Sequence, residues 1–364
     1  VFIIAFISIN FWENPIYDMI INSTSAIKEG SKDISLIVID NKSLDTYRWP
    51  WARSLYGEIF EYLNKYTNAK VVIFDSVLSN LDKERPAESD NYFFETVKKS
   101  DNFIGGYMAQ RTEYEDINSG SQYDKDFNQK FAIDITDKRT KNNSRFSNYN
   151  SLTMFPKPYF DAQKYAGSVN LGTNAIDGVL RESTDLIGYN DNYYPSLALR
   201  AYLLANNTDK ITLTNKYIIV NKTRLKIPAF QKKGDIRHKI KFYKLHENSE
   251  YSHKNYSAID IINSNRLLNN GQKPIINPSE FNNKIVLVGA NALGVEDALE
   301  TSISLKHPGV DIQATILNNF IDNEYLVKFA NWQNISIIIL LSIITFVIIR
   351  FLAFIPSLIT LIGI

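Results

Sequence analysis

Cysteine is absent from the 364 residues, which removes disulfides, thiolate nucleophiles and thiolate metal sites together. Histidine is scarce. His238, His246, His253 and His307 never stand at the helical spacing of a zinc site, and three of them fall in or near a predicted strand and a loop rich in Lys, Asn and Ser. Surface positions are therefore expected for them. Charge of one sign is lacking too, because 40 Lys and Arg face 39 Asp and Glu. That balance offers no basic stripe to nucleic acid and no acidic tract that would favour disorder. "VGANALG" lacks the Gly-x-Gly-x-x-Gly spacing, and Gly294 precedes Val295 and Glu296 rather than the Lys and Ser/Thr of a phosphate loop. No serine sits in Gly-x-Ser-x-Gly, and no internal repeat is visible.

Two apolar ends are present. "VFIIAFISINFW", residues 1–12, is shorter than the roughly 20 residues a bilayer requires, so it is expected to be the end of a membrane span that begins before this sequence; a signal peptide is the competing reading, without a small-residue cleavage pattern after it. From Ile335 to Ile364 the chain is almost wholly apolar, broken by Arg350. A charge at mid-bilayer is costly, so Arg350 is expected at a cytoplasmic turn between a span over 331–349 and the start of another over 351–364. Residues 13–330 are long enough to bury a sizeable core outside the membrane.

The pattern within that region is α/β. "ENPIYDMIINSTSAIKEG" predicts a short helix closed by Gly30, and "DISLIVID" a buried strand ending at Asp40. A helix from about Ala52 carries Leu55, Ile59, Tyr62, Leu63 and Tyr66 on one stripe, and "AKVVIFD" is a second buried strand ending at Asp75. Strand, helix and strand with continuous apolar strands form a parallel crossover unit. A helix over about Tyr92–Lys99 leads into a third strand, "NFIGGYMAQ", and residues 111–150 read as a polar surface insertion. Residues 166–189 predict two short strands turning at Asp177 and Gly178, followed by a helix in "YPSLALRAYLLAN" with Pro195 early in it. "KYIIVNKTRLKIP" predicts a hairpin, "RHKIKFY" a strand, "SAIDIINSN" a short helix, "NKIVLVGA" a buried strand and "HPGVDIQATILNNFIDN" an amphipathic helix. The expected fold is a mostly parallel or mixed sheet with flanking helices, plus transmembrane helices at both ends.

Asp40, Asp75 and Asp297 each lie at or just after the carboxyl end of an apolar strand, the edge where open parallel sheets bind ligands. Three carboxylates there could hold a divalent ion, cap helices, or pair with Arg53. In "YRWPWARSLYGEIFEYL", Pro50 holds Trp49 extended ahead of the helix, and Trp49 and Trp51 are placed to cover the same edge as a hydrophobic plug or a ligand contact.

"SLIVIDNKSL", "WPWARSLYGEIFEYL" and "AKVVIFDSVLS" together resemble the start of the type-two CHASE domain, the cyclase and histidine kinase associated sensory extracellular family. "GSVNLGTNAIDGVLRES", and "NKIVLVGANALGVEDALETS" continuing through "HPGVDIQATILNNF", resemble later blocks of it, so the likeness covers about Asp33 to Asn323. Arg48 stands where the family often has glycine, and "TSISLKHPG" replaces its more usual Thr-Pro. The resemblance implies a periplasmic sensory domain of a bacterial, multi-pass inner-membrane receptor. It further implies an unidentified extracytoplasmic ligand or stimulus, a homodimer, and a cytoplasmic output module of adenylate cyclase or kinase type. No cofactor and no catalytic set come with it. The candidate crevice, ligand-binding or core, comprises Asp40, Trp49, Trp51, Arg53, Asp75, Asp177, Arg181 and Asp297. The alternative from the residues alone is a membrane-anchored, metal-dependent hydrolase using Asp40, Asp75 and Asp297.

Overall fold

The computed structural model describes residues 2–110, 122–139, 149–153, 155–172, 177–189, 192–232, 235–292, 297–326 and 331–351. They fall into two compact units. The smaller holds Val1–Tyr17 and Val327–Ile364, and the larger holds Asp18–Leu326.

Helix α1 (Phe2–Ser25) runs on from the apolar opening stretch and stops before the Gly30 end expected from sequence. It leads to β1 (Ile34–Ile39), whose six residues are all buried, then α2 (Asn41–Thr46), α3 (Arg53–Tyr66) and β2 (Val71–Val77). Next come α4 (Ala87–Lys98) and β3 (Phe103–Gln110). In the predicted polar insertion, residues 111–121 and 140–148 lie outside the described residues. Its described part contains α5 (Gln122–Phe131) and β4 (Ile135–Asp137). Phe127 and Phe131, one helical turn apart, enter the main core, so this stretch is not simply a surface excursion.

The chain continues through β5 (Ser151–Thr153), α6 (Lys157–Ala162), β6 (Tyr165–Ser168), β7 (Leu186–Tyr189) and β8 (Asn192–Pro195). Pro195 closes β8 instead of opening the next helix, and Ser196 caps α7 (Leu197–Ala205) by accepting from the Leu199 amide. Then follow β9 (Ile211–Leu213), β10 (Tyr217–Val220), β11 (Leu225–Pro228), β12 (Phe230–Lys232), β13 (Asp235–Arg237) and β14 (Lys254–Ser257). Ile240 and Phe242 are buried as the alternation of "RHKIKFY" predicts, but they lie beyond the end of β13. Helix α8 (Ala258–Asn269), β15 (Ile285–Ala290), β16 (Ala298–Thr301), β17 (Ser304–Pro308), α9 (Gly309–Asp322) and α10 (Asn331–Phe351) complete the order.

The main sheet runs β14-β1-β15-β2-β3-β6, all parallel, with β5 added antiparallel to the end of β3. The predicted crossover from β1 to β2 exists, but β15, the last strand of the sheet in sequence, is inserted between them. Strands buried on both faces need cover on both. Ile37, Ile39, Val72, Phe74, Val286 and Val288 share a core cluster with side chains of α3, α4 and α8. The alternate residues Leu36, Val38, Ile73 and Leu287 are buried too, and α7 and α9 pack against the central strands. At Gly289 a Cβ would lie 2.8 Å from Val310 Cβ, so the missing side chain is what lets α9 approach β15.

Two smaller sheets, β11-β10-β9-β4 and β12-β13-β7-β8, and the β16-β17 hairpin complete the larger unit. Among the described residues, no helix is long and apolar enough to cross a membrane.

Candidate functional site

The carboxyl edge of the central strands separates the three aspartates by role. Asp40 caps α2. Its Oδ1 accepts from the Ser43 amide at 2.9 Å, the Ser43 hydroxyl at 2.7 Å and the Ser257 hydroxyl at 2.8 Å. Asp75, on β2, and Asp297, just before β16, come together without it. Asp75 Cβ lies 3.6 Å from where Gly289 would carry a side chain, and Asp297 Oδ2 lies 2.5 Å from the equivalent point at Gly309, the first residue of α9. Burial pushes the Asp75 carboxyl up to about 7, with the Asp297 charge adding to the shift, and burial also raises Asp297. The two carboxyls are close enough for the charge of Asp297 to act on Asp75. Asp40 Oδ1 is committed to the α2 cap and to Ser257, and the three aspartates do not group as a metal site among the described residues. Among the described residues, no group of three or more His, Asp and Glu side chains is arranged to hold a metal ion. Among the described residues, the metal-dependent hydrolase thus lacks a third ligand.

The two tryptophans also separate. Trp51 is 1 % exposed, donates its indole N–H to the Tyr47 carbonyl at 2.9 Å and packs on Tyr56. It is the plug. Trp49 is half-buried against the same core, and its peptide bond to Pro50 is cis. Arg85 donates to the Pro50 carbonyl and binds Asp82 at 2.8 Å, which holds the loop on α4's entry. Arg53 approaches Asp90 of α4 at 3.9 Å rather than a strand-end aspartate. As the first residue of α3 it stands beside the neighbouring helix α4.

Asp177 and Arg181 meet at a second locus. The Arg181 fork binds Asp177 at 3.0 and 2.9 Å, and on its other side Asp18 of α1 at 2.8 and 2.6 Å. Hydrogen bonds to Asp18 and Asp177 raise the arginine further above its already high range. Ser302 of the β16-β17 turn donates to Asp18 at 2.6 Å. This network holds the part of α1 from Asp18 onward within the larger unit. No sequence signal indicates it, because the helical pattern around Asp18 does not show which distant arginine the carboxylate will meet.

The histidines overturn the surface expectation, His246 excepted. His238, His253 and His307 are at most 1 % exposed. Asp311, in the first turn of α9, accepts from His253 Nδ1 at 2.8 Å, His307 Nε2 at 2.7 Å and the backbone amides of Ser252 and His253. Burial alone would raise this carboxyl, but the two imidazoles hold it well below the usual range. Asn318 Oδ1 accepts from the Ser31 amide at 2.7 Å and lies 3.1 Å from His253 Nε2. The polar partners, distant in sequence, satisfy one another away from water.

His238 makes a second buried cluster. Its Nδ1 lies 2.7 Å from Ser183 Oγ and 2.8 Å from Asp185 Oδ2, while Nε2 has no hydrogen-bond partner among the described residues. Serine activation requires the hydroxyl and the carboxylate on opposite ring nitrogens and a path for substrate. Here both groups crowd one nitrogen in a closed interior, so the cluster joins strands and does not make a nucleophile.

Comparison with curated proteins and with solved structures returns no match. A family model, the CHASE2 domain, matches residues 1–348, which takes in the flanking helical stretches as well as the sheet and both polar clusters. The chain belongs to the CHASE2 domain family, whose members are extracellular sensory domains of receptors.

Proposed function

We propose that the chain is the periplasmic input region of a bacterial inner-membrane receptor. In this scheme the apolar opening stretch, residues 1–12, and α10 lie in the lipid bilayer, and an extracytoplasmic stimulus shifts the populations of two arrangements of the larger unit. Its helices pass that shift to a cytoplasmic output module of adenylate cyclase or kinase type, in a homodimer.

The observation that carries this proposal is the way the larger unit ties its two exits together. Lys28, just past α1, binds Asp322 at 2.8 Å and Glu324 at 2.9 Å, where α9 ends. Lys241 also binds Glu324, at 2.6 Å. A displacement of α9 is thereby felt at the end of α1, and the reverse. Further support comes from α10, where Ile335, Leu340, Ile343, Phe346 and Ile349 are all more than half exposed. A helix apolar on every side belongs in lipid or in a core.

Single cysteines placed at the exposed Lys83 and Lys125 of this cysteine-free chain test the topology. A membrane-impermeant maleimide is expected to label both in intact spheroplasts. Labelling confined to inverted vesicles would overturn the proposal.

A further inference from the structure

The amino-terminal end of the main sheet carries a cavity of about 500 Å³, opposite in strand direction to the edge holding Asp75. Its walls include Glu29, Gly30, Lys32, His246, Lys254 and Lys284. The volume falls within the range of small-molecule sites. Three lysines converge because each lies where the chain enters a strand: Lys32 ahead of β1, Lys254 opening β14 and Lys284 ahead of β15. Adjacent parallel strands bring these entry points side by side.

The charges do not cancel. Lys254 is held by Glu280 at 2.6 Å, and Tyr256 donates to the same carboxylate. Among the described residues, the Lys284 ammonium has one hydrogen bond, to the Ser35 hydroxyl at 3.4 Å, and feels the Glu280 charge without a direct ion pair, while Lys32 has no hydrogen-bond or ion-pair partner. Glu29 is the one acid in the lining, so the rim stays net positive, and His246 adds a further donor.

The frame is already built. The Gly30 amide donates to the Ser252 carbonyl, the Ser31 amide to Asn318, and the Tyr251 amide to Ser249 Oγ. A Cβ at Gly30 would lie 2.4 Å from the Ser252 oxygen and 2.7 Å from the His253 ring, so only glycine lets this wall seat against the buried His253–Asp311 pair.

We propose that this cavity binds a small phosphate-bearing ligand, with Lys32 and Lys284 as its principal cationic contacts. Ammonium groups on flexible stems suit a multiply charged tetrahedral oxyanion, which accepts from several directions at once. This proposal rests on the sensory role above and supplies its ligand class. The wall formed by Glu29–Lys32 follows directly on Lys28, whose ion pairs join the two exits, and Ser31 is bonded to α9. A bound phosphate that draws Lys32 inward therefore acts on the segment between α1 and β1.

Isothermal titration of inorganic phosphate into the full chain, in phosphatidylcholine nanodiscs at constant ionic strength, tests the site. Saturable binding is expected, weakened about tenfold or more by Lys32→Glu and unchanged by Lys125→Glu on the remote α5. Lys284→Gln should weaken it as well. Absence of saturable binding, or equal affinities for Lys32→Glu and Lys125→Glu, would overturn the site. Replacing part of the lipid with phosphatidylglycerol identifies the source. Loss of phosphate affinity in the wild type but not in Lys32→Glu assigns the site to a lipid headgroup, and an unchanged affinity assigns it to a free solute. The maleimide topology experiment reads out separately, so a failed pocket and a failed receptor assignment are distinguishable.

Discussion

His253 Nδ1 and Asp311 Oδ1 lie 2.8 Å apart, with neither side chain reached by solvent, and this contact joins the entry of β14 to the first turn of α9. The same carboxylate holds His307 at 2.7 Å, so one residue of α9 organises two imidazoles from separate segments.

Replacing one carboxylate oxygen of Asp311 by an amide NH2 turns a donor toward one ring and one backbone amide, and it removes the negative charge from between the two imidazoles. Asp311→Asn should destabilise the larger unit by about 3–5 kcal/mol in denaturant unfolding, the range for breaking a buried pair. The folded Asp311 carboxyl titrates below its unfolded value of 3.8, so its contribution is complete above that value and is lost as pH falls through the lower folded one. Acid unfolding of Asp311→Asn should lack this part of the wild-type acid limb.

Asp75 has the opposite sign. In the folded chain it keeps its proton up to about 7, whereas unfolded it releases it near 3.8. The folded state binds the extra proton between those values, so stability falls as pH rises across that window and levels above it. Asp75→Asn should flatten this slope and raise stability at neutral pH by about 2 kcal/mol, a figure reduced for partial solvent access. Identical pH profiles for the two proteins would rule out the raised carboxyl.

Trp51→Ala and Trp49→Ala should differ. The buried Trp51 indole fills space between Tyr47 and Tyr56 and should cost about 3–5 kcal/mol. Trp49, half-buried, should cost less than half of that. Equal losses in thermal or denaturant unfolding would show that both indoles are core.

Lys28→Ala addresses the coupling of the exits. The lysine side chain is 43 % exposed, so its loss should change global stability by less than about 1 kcal/mol. Amide exchange at residues 322–326 should nevertheless accelerate, because Asp322 and Glu324 lose a shared cation. Unchanged exchange there would remove Lys28 as a brace.

Strands with continuous Ile, Val and Leu, such as β1 and β15, were legible because only a sheet covered on both faces buries such runs. The stripe of α3 and the apolar face of α9 were equally plain from their helical period. The sequence marks Trp49 and Trp51 alike as a plug or a ligand contact without telling them apart, and it puts Asp177 and Arg181 in the crevice set without indicating their partner Asp18. Phe127 and Phe131 were hidden by the polar residues around them, since a short helix buries two rings without a long apolar run.

Local sequence determined which segments would become strands and helices, because periodicity and backbone preference act over a few neighbouring residues. The insertion of β15 between β1 and β2, the gathering of His253, His307 and Asp311, and the separation of Asp40 from Asp75 and Asp297 were decided only by the tertiary structure. Burying a polar or charged group requires a partner, and in this chain most of those partners arrive from segments far away in sequence.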